Sequence, residues 1–226
     1  MKRSEINAVI KRFEKLLEEH RFELPPFCKW TPEEWQTKGH EYDEIRDNML
    51  GWDVTDYGMG DFGHLGLALI TIRNGNVHNP KYTKTYAEKI IMCDSGQVSP
   101  MHFHWHKMED IINRGGNDIH FTLYNATEDE QLAEPPEKIS SAARCYPVPA
   151  GETVVLKPGQ SLSLYPYYYH EFVIPEGGPV LIGEVSMCND DNTDNRFLNP
   201  LGRFPTIEED EPPYRLLCNE YPKAAD

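Results

Sequence analysis

The 226-residue chain has no apolar run long enough to cross a bilayer. Its opening stretch, MKRSEINAVIKRFEKLL, carries charges every few residues, which excludes a secretory signal peptide as well as a membrane span. Positive charge is scarce. Against 37 Asp and Glu stand 22 Lys and Arg, a formal net charge of −15 with a pI near 5.0, so nucleic-acid phosphates would be repelled and a neutral or cationic small substrate is favoured. Cys28, Cys93, Cys145, Cys188 and Cys218 are odd in number and never spaced as CxxC, which argues against a disulfide framework and for free thiols in a reducing cytoplasm. The fingerprints GxGxxG, GxxxxGK[ST] and GxSxG are missing, and with them support for dinucleotide binding, P-loop chemistry and serine hydrolysis.

What the chain does hold is GQVSPMHFHWHKMEDIINRGG, from Gly96 to Gly116. His102, His104 and His106 alternate, so on a strand all three would project to one face, with Glu109 following closely. Imidazole with carboxylate and no nearby Cys suits a divalent ion such as Mn, Fe(II), Zn, Co or Ni and excludes the usual structural zinc arrangement.

The spacing of Gly96, His102, His104, Glu109 and Gly116 resembles the first cupin motif, with every position filled. In that family a fourth ligand, a His, follows on a neighbouring barrel strand, and His170 stands in the matching place. Gly159 and Pro166 precede it, although tyrosines replace the usual Pro-x-Gly of the second motif. The block HFHWHKMEDIINRGG, the segment GEVSMCNDDNTDNRF from Gly183 to Phe197 and the overall layout resemble the D-lyxose isomerase family along nearly the whole chain. The resemblance implies a mainly β fold, a double-stranded β-helix or jelly-roll barrel. It also implies a Mn-type divalent ion, a homodimer, and interconversion of D-lyxose with D-xylulose and of D-mannose with D-fructose. The family's metal ligands match His102, His104, Glu109 and His170, leaving His106 as a spare histidine.

The rest of the chain reads as one domain of residues 1–226: a helical extension over 1–50, a barrel over 64–188 and an arm over 189–226. Ser4 caps a first helix whose apolar positions Ile6, Val9, Ile10, Phe13 and Leu17 follow a 3.6 period. Thr31-Pro32-Glu33-Glu34 then offers an N-cap, a first-turn Pro and a capping-box Glu for a short second helix. Gly51–Gly66 reads as a turn-rich loop. Strands are expected over His64–Arg73, ending at a hairpin-type Asn74-Gly75, and over Tyr82–Cys93, Asp118–Tyr124, Tyr169–Ile174 and Val180–Cys188. Two more fall within Val148–Tyr165, separated by Lys157-Pro-Gly159. Glu128–Lys138 reads as a solvated hairpin tip. His64 and His78 read as surface or hydrogen-bonded structural histidines, and the Pro-rich tail after Asn199 as a wrap over the surface or a partner subunit.

Four protein ligands on a six-coordinate ion leave two neighbouring positions for two oxygens of a free sugar, the arrangement needed to move hydrogen between C1 and C2. For that step the sequence offers Lys107, between two expected ligands, and Glu184, which interrupts the apolar run Val180–Val185; desolvation should bring one such group toward neutrality. Lys89 interrupts a similar run. Asp190, Asp191, Asp194 and Arg196 suit sugar hydroxyls, and Lys89, Asp190, Asp194 and Arg196 make up the substrate-binding set. The same ligands also serve non-haem Fe(II) cupin dioxygenases, and a sugar-binding cupin without turnover is the third reading. The Asp/Asn-rich segment favours a sugar.

Overall fold

The computed structural model describes residues 1–149 and 152–225, so Ala150 and Gly151, inside the expected Val148–Tyr165 segment, and Asp226, at the end of the expected arm, lie outside the described residues. The chain builds the expected jelly-roll barrel from two antiparallel sheets. The larger contains β1 (Gly51–Thr55), β2 (Leu67–Arg73), β3 (Tyr86–Cys93), β5 (Glu109–Gly116), β7 (Lys138–Ser141), β8 (Arg144–Pro147), β10 (Ser161–Leu164) and β12 (Val180–Met187), in the order β1-β2-β3-β12-β5-β10-β7-β8. The smaller contains β4 (Val98–Phe103), β6 (Ile119–Asn125), β9 (Val154–Leu156), β11 (Tyr168–Val173) and β13 (Arg196–Phe197), in the order β13-β4-β11-β6-β9.

Alternation along the strands of the larger sheet sorts its side chains between two cores. Leu67, Leu69, Ile91, Ile111 and Ile182 turn inward to meet Phe121 and Phe172 of the smaller sheet. Trp52, Val54, Ile70 and Ile90 turn outward, where Ile6, Ile10 and Phe13 of α1 (Arg3–Glu19) cover them. Each such side chain, fully buried, contributes about 1.5–3 kcal/mol. The arm closes over the same helix: Arg3 is paired with Glu209 and Glu220, and Asn7 donates to Glu211 and to the Pro212 carbonyl. The tail thus wraps the chain's own first helix. Among the described residues no helix is long and apolar enough to cross a membrane.

Several local expectations change. The N-cap of α1 is Lys2, whose amide donates to Glu5 at 2.7 Å; Ser4 sits within the helix and binds Asp210 instead. At α2 (Pro32–Trp35) the Thr31 cap and Glu34 capping box form as expected. Gly51–Gly66 is not all loop, because Gly51–Thr55 is fully buried and pairs with β2; its glycine and aspartate mask a strand that needs Trp52 and Val54 in the outer core. The β7–β8 hairpin also escaped the sequence reading, since it turns at Ala142 and Ala143, both at positive φ without an Asn or Gly signal.

Asn74-Gly75 does not close a tight hairpin. The connection runs on to Tyr86 and is held by side chains: Asn74 donates to the Asn189 carbonyl and accepts from the Asn189 amide, both at 2.9 Å. Gly75 is needed for closeness, because a Cβ there would collide with the Lys84 carbonyl and Cys188 Sγ. Gly75→Ala should therefore destabilise the protein by about 1–3 kcal/mol, the usual effect of overpacking. Urea unfolding checks this, and an unchanged midpoint would count against the described link.

Candidate active site

Three histidines meet at the mouth of the barrel. His102, one residue before the end of β4, lies directly opposite His170 of β11, and His104 follows one residue beyond the strand, so each offers a ring nitrogen within 4.8 Å of the others. Every Nδ1 is engaged elsewhere: His102 with the Pro100 carbonyl at 2.7 Å, His170 with the Tyr168 carbonyl at 2.9 Å and His104 with the Asp194 carbonyl at 2.6 Å. A carbonyl only accepts, so each Nδ1 carries a proton, and a neutral ring then keeps its lone pair at Nε2. Glu109, first residue of β5, brings Oε1 to 3.5 Å from His104 Nε2 and 3.3 Å from His170 Nε2.

Acceptors thus face acceptors, and His104 Nε2 is buried without a partner. A buried orphan of this kind calls for an explanation, and a cation among the lone pairs supplies one. The protonation states agree. Burial holds His102 well below its usual range, with His170 and His104 adding to the effect, and burial together with Lys107 lowers His104, so both stay neutral as metal ligation requires. Burial would raise Glu109, but Lys107 and then His104 outweigh it and keep the carboxylate ionised.

From Glu109 a file of buried and half-buried charges of alternating sign runs across the larger sheet. Lys107 Nζ lies 2.7 Å from Glu109 Oε2 and 3.1 Å from Glu184 Oε1; Lys89 Nζ lies 3.3 Å from Glu184 and 3.7 Å from Asp191; Arg203 then bridges Asp191, at 2.9 Å, and Asp53. Register explains the order, since Lys89 and Glu184 are direct partners across β3 and β12 and both point inward. Asn189 Oδ1 accepts from both lysines, at 2.6 and 3.2 Å. Burial would lower Lys107, yet Glu109 and Glu184 outweigh it and raise it instead. The lysine is a fixed cation and donor, contrary to the expectation of a group tuned toward neutrality.

The expected residues separate cleanly. His102, His104, Glu109, His170, Lys107, Glu184 and Lys89 line one pocket together with Asp191. Asp190 lies outside it, paired with His78 at 2.6 Å, and Arg196 is turned to Glu130 at 2.9 Å and to the Phe197 carbonyl. Asp194 is buried behind the pocket and binds backbone amides. His106 is exposed, because the chain leaves β4 at Phe103 and alternation no longer governs its direction. His64 and His78 are hydrogen-bonded, to the Gly96 carbonyl and to Asp190. The sequence reading missed Arg203, Asp53, Asn189 and Phe197; Arg203 comes from the Pro-rich tail, where no periodicity marks it.

A model of the D-lyxose isomerase family matches residues 1–221. The chain belongs to this family. It is 46% identical over 223 residues to the D-lyxose/D-mannose isomerase of Serratia proteamaculans, covering 98% of each chain, and 45% identical over 223 residues to the enzyme of that name from Escherichia coli O157:H7. The fold resembles that of Cellulomonas parahominis L-ribose isomerase with L-ribose, at a TM-score of 0.61 and 16% identity, covering 92% of this chain and 98% of that one. Acinetobacter sp. DL28 L-ribose isomerase with L-ribose gives 0.55 at 16% identity, covering 91% and 98%. The barrel of this chain thus shares its fold with those of the two L-ribose isomerases.

The depressed His102 and His104 values fix a pH dependence. Below about pH 6.5 the unfolded chain takes up protons that the folded, metal-free chain refuses, so stability is lost as pH falls, by up to about 1.4 kcal/mol for each group between pH 7.5 and 5.5. Urea midpoints of chelator-treated protein should drop over this interval, and less in His102→Gln. Equal loss in the two proteins would contradict the assignment.

Proposed function

We propose that the protein is a metal-dependent aldose–ketose isomerase that interconverts D-lyxose and D-xylulose, and also D-mannose and D-fructose. The observation that carries this reading is the convergence of three Nε2 lone pairs and the Glu109 carboxylate beside the buried Lys107–Glu184 pair, in a chain of the D-lyxose isomerase family. His102, His104, Glu109 and His170 would hold the ion, with Mn(II) as our choice. When bound, the ion supplies Lewis acidity toward a sugar carbonyl and its neighbouring hydroxyl.

The chain's own groups then divide the work. Glu184 is the carboxylate we assign to the carbon-bound hydrogen, taking the proton from C2 of the open-chain aldose and delivering it to C1. Lys107, held as an ammonium, donates at Nζ to the developing oxyanion and moves a proton between O2 and O1, so C2–H and O2–H are lost as C1–H and O1–H form. Lys89, Asp191 and Arg203 present charged hydrogen-bonding groups on the same wall, suited to the remaining hydroxyls. The charged groups on this wall, set beside the apolar Leu67, Ile91 and Phe172, suit the hydroxyls of a sugar, and intact donor groups favour turnover over binding alone. The reading includes one working domain, extension, barrel and arm together, in a cytoplasmic homodimer acting on free sugars.

The test is ketose formation from D-lyxose and D-mannose by chelator-treated protein resupplied with metal. Mn(II) or Co(II) should restore more activity than Mg(II), since imidazole-rich sites disfavour hard, strongly hydrated ions. Glu184→Gln and Lys107→Met should keep metal while kcat falls by about 10²–10⁴-fold. In D2O, deuterium at C1 of the ketose supports the proton route. Wild-type turnover in both variants would remove these residues from the mechanism.

A further inference from the structure

We infer that Asp194 is the positioning residue of this pocket, holding the proton on His104 Nδ1 and fixing the backbone that carries Lys107. Its metal arm rests on the function proposed above; its tautomer arm does not.

Asp194 is 7% exposed and its acceptors are committed to one segment. Oδ1 accepts from the His106 amide at 3.0 Å, Oδ2 from the Lys107 amide at 2.9 Å, and the carbonyl from His104 Nδ1 at 2.6 Å. A carboxylate spanning two successive amides is a charge-assisted clamp. It acts where it is needed, because the chain between Phe103 and Glu109 belongs to no strand and has no ladder of its own.

The three histidines differ in how their tautomers are set. His102 and His170 donate to carbonyls two residues earlier on their own strands, so those bonds form with the strand itself. The His104 acceptor lies 90 residues further along the chain, in the loop that follows β12. The clamp on His106 and Lys107 ties that loop to the irregular segment just beyond His104, whereas its other ties reach β4, where Arg196 pairs with Phe103, and the Lys107 side chain, which donates to Asn189 at 3.2 Å. Without the clamp, the hold of the Asp194 carbonyl on Nδ1–H is loosened while Glu109 Oε1 waits 3.5 Å from Nε2. The favourable response is to move the proton to Nε2, where it bonds the carboxylate and turns a donor toward the ion's place. Asp194 thus holds His104 ready for metal and stops the site collapsing into a His–Glu hydrogen bond.

The test compares wild type, Asp194→Asn, Asp194→Ala and Thr193→Val, the last losing a hydrogen bond to Asp190 in the same loop without touching the clamp. Nitrogen-15 NMR of the metal-free proteins reads the His104 tautomer, and Mn(II) titration reads affinity. Wild type and Thr193→Val should carry the proton on Nδ1. Asp194→Ala should shift it to Nε2 and weaken Mn(II) binding by about 10–100-fold, the usual range for an outer partner of a ligand. Asp194→Asn, keeping one acceptor, should fall between, and it decides the matter if the alanine variant does not fold. An Nδ1 proton and unchanged affinity in every folded Asp194 variant would overturn the proposal, as would equal losses in Thr193→Val. If wild type itself fails to bind Mn(II), the metal reading falls, and the tautomer comparison still judges Asp194.

Discussion

Lone pairs repel when nothing positive lies between them, and the barrel mouth is built around that repulsion. Three imidazoles, each with Nδ1 donating to a carbonyl, aim their Nε2 atoms at one another and at Glu109, whose second oxygen is already held by Lys107. Buried polar groups arranged this way are costly unless each gains a partner. The protein meets the cost on one side with lysine, and in the proposed reading a cation would meet it on the other. Everything else in the site follows from keeping those two halves apart.

The larger sheet does this by register. Lys89 and Glu184 face each other across neighbouring strands, and the loop after β12 returns with Asn189 and Asp191 to cap the lysines from outside. Asn74 clamps Asn189 through its side-chain amide, so the long β2–β3 link has a direct line to the charged wall. Arg203 closes the file from the arm and leans on Asp53 of β1. The edge strand, two loops and the tail therefore converge on one row of charges. Removing Lys107 leaves Glu109 charged without its cation, a loss of the kind that typically costs about 3–5 kcal/mol.

The first motif was legible because it is local: His102, His104 and Glu109 lie within eight residues, and glycines mark both its ends. Glu184 and Lys89 were legible for a different reason, as charges set among aliphatic residues that a strand could only bury. Alternation failed at His106, where the strand had already ended, and at Gly51–Thr55, where a glycine and an aspartate hid a buried strand. The Asp-Asp-Asn-Thr-Asp-Asn segment announced polar chemistry without dividing it. Asp191 joins the wall, Asp190 pairs with His78 and Asp194 serves the backbone, because a loop's side chains take their directions from what it packs on. Arg203 had no sequence signal, since its role depends wholly on where the arm crosses the barrel.

The central claim is that one divalent ion sits among His102, His104, Glu109 and His170. Anomalous diffraction at the manganese edge from crystals grown with Mn(II) tests it most directly. The account predicts a single strong peak within about 2.0–2.2 Å of three Nε2 atoms and a Glu109 oxygen, distances typical of divalent ions with imidazole and carboxylate ligands. A peak elsewhere, or none at this position in protein that isomerises D-lyxose, would contradict it.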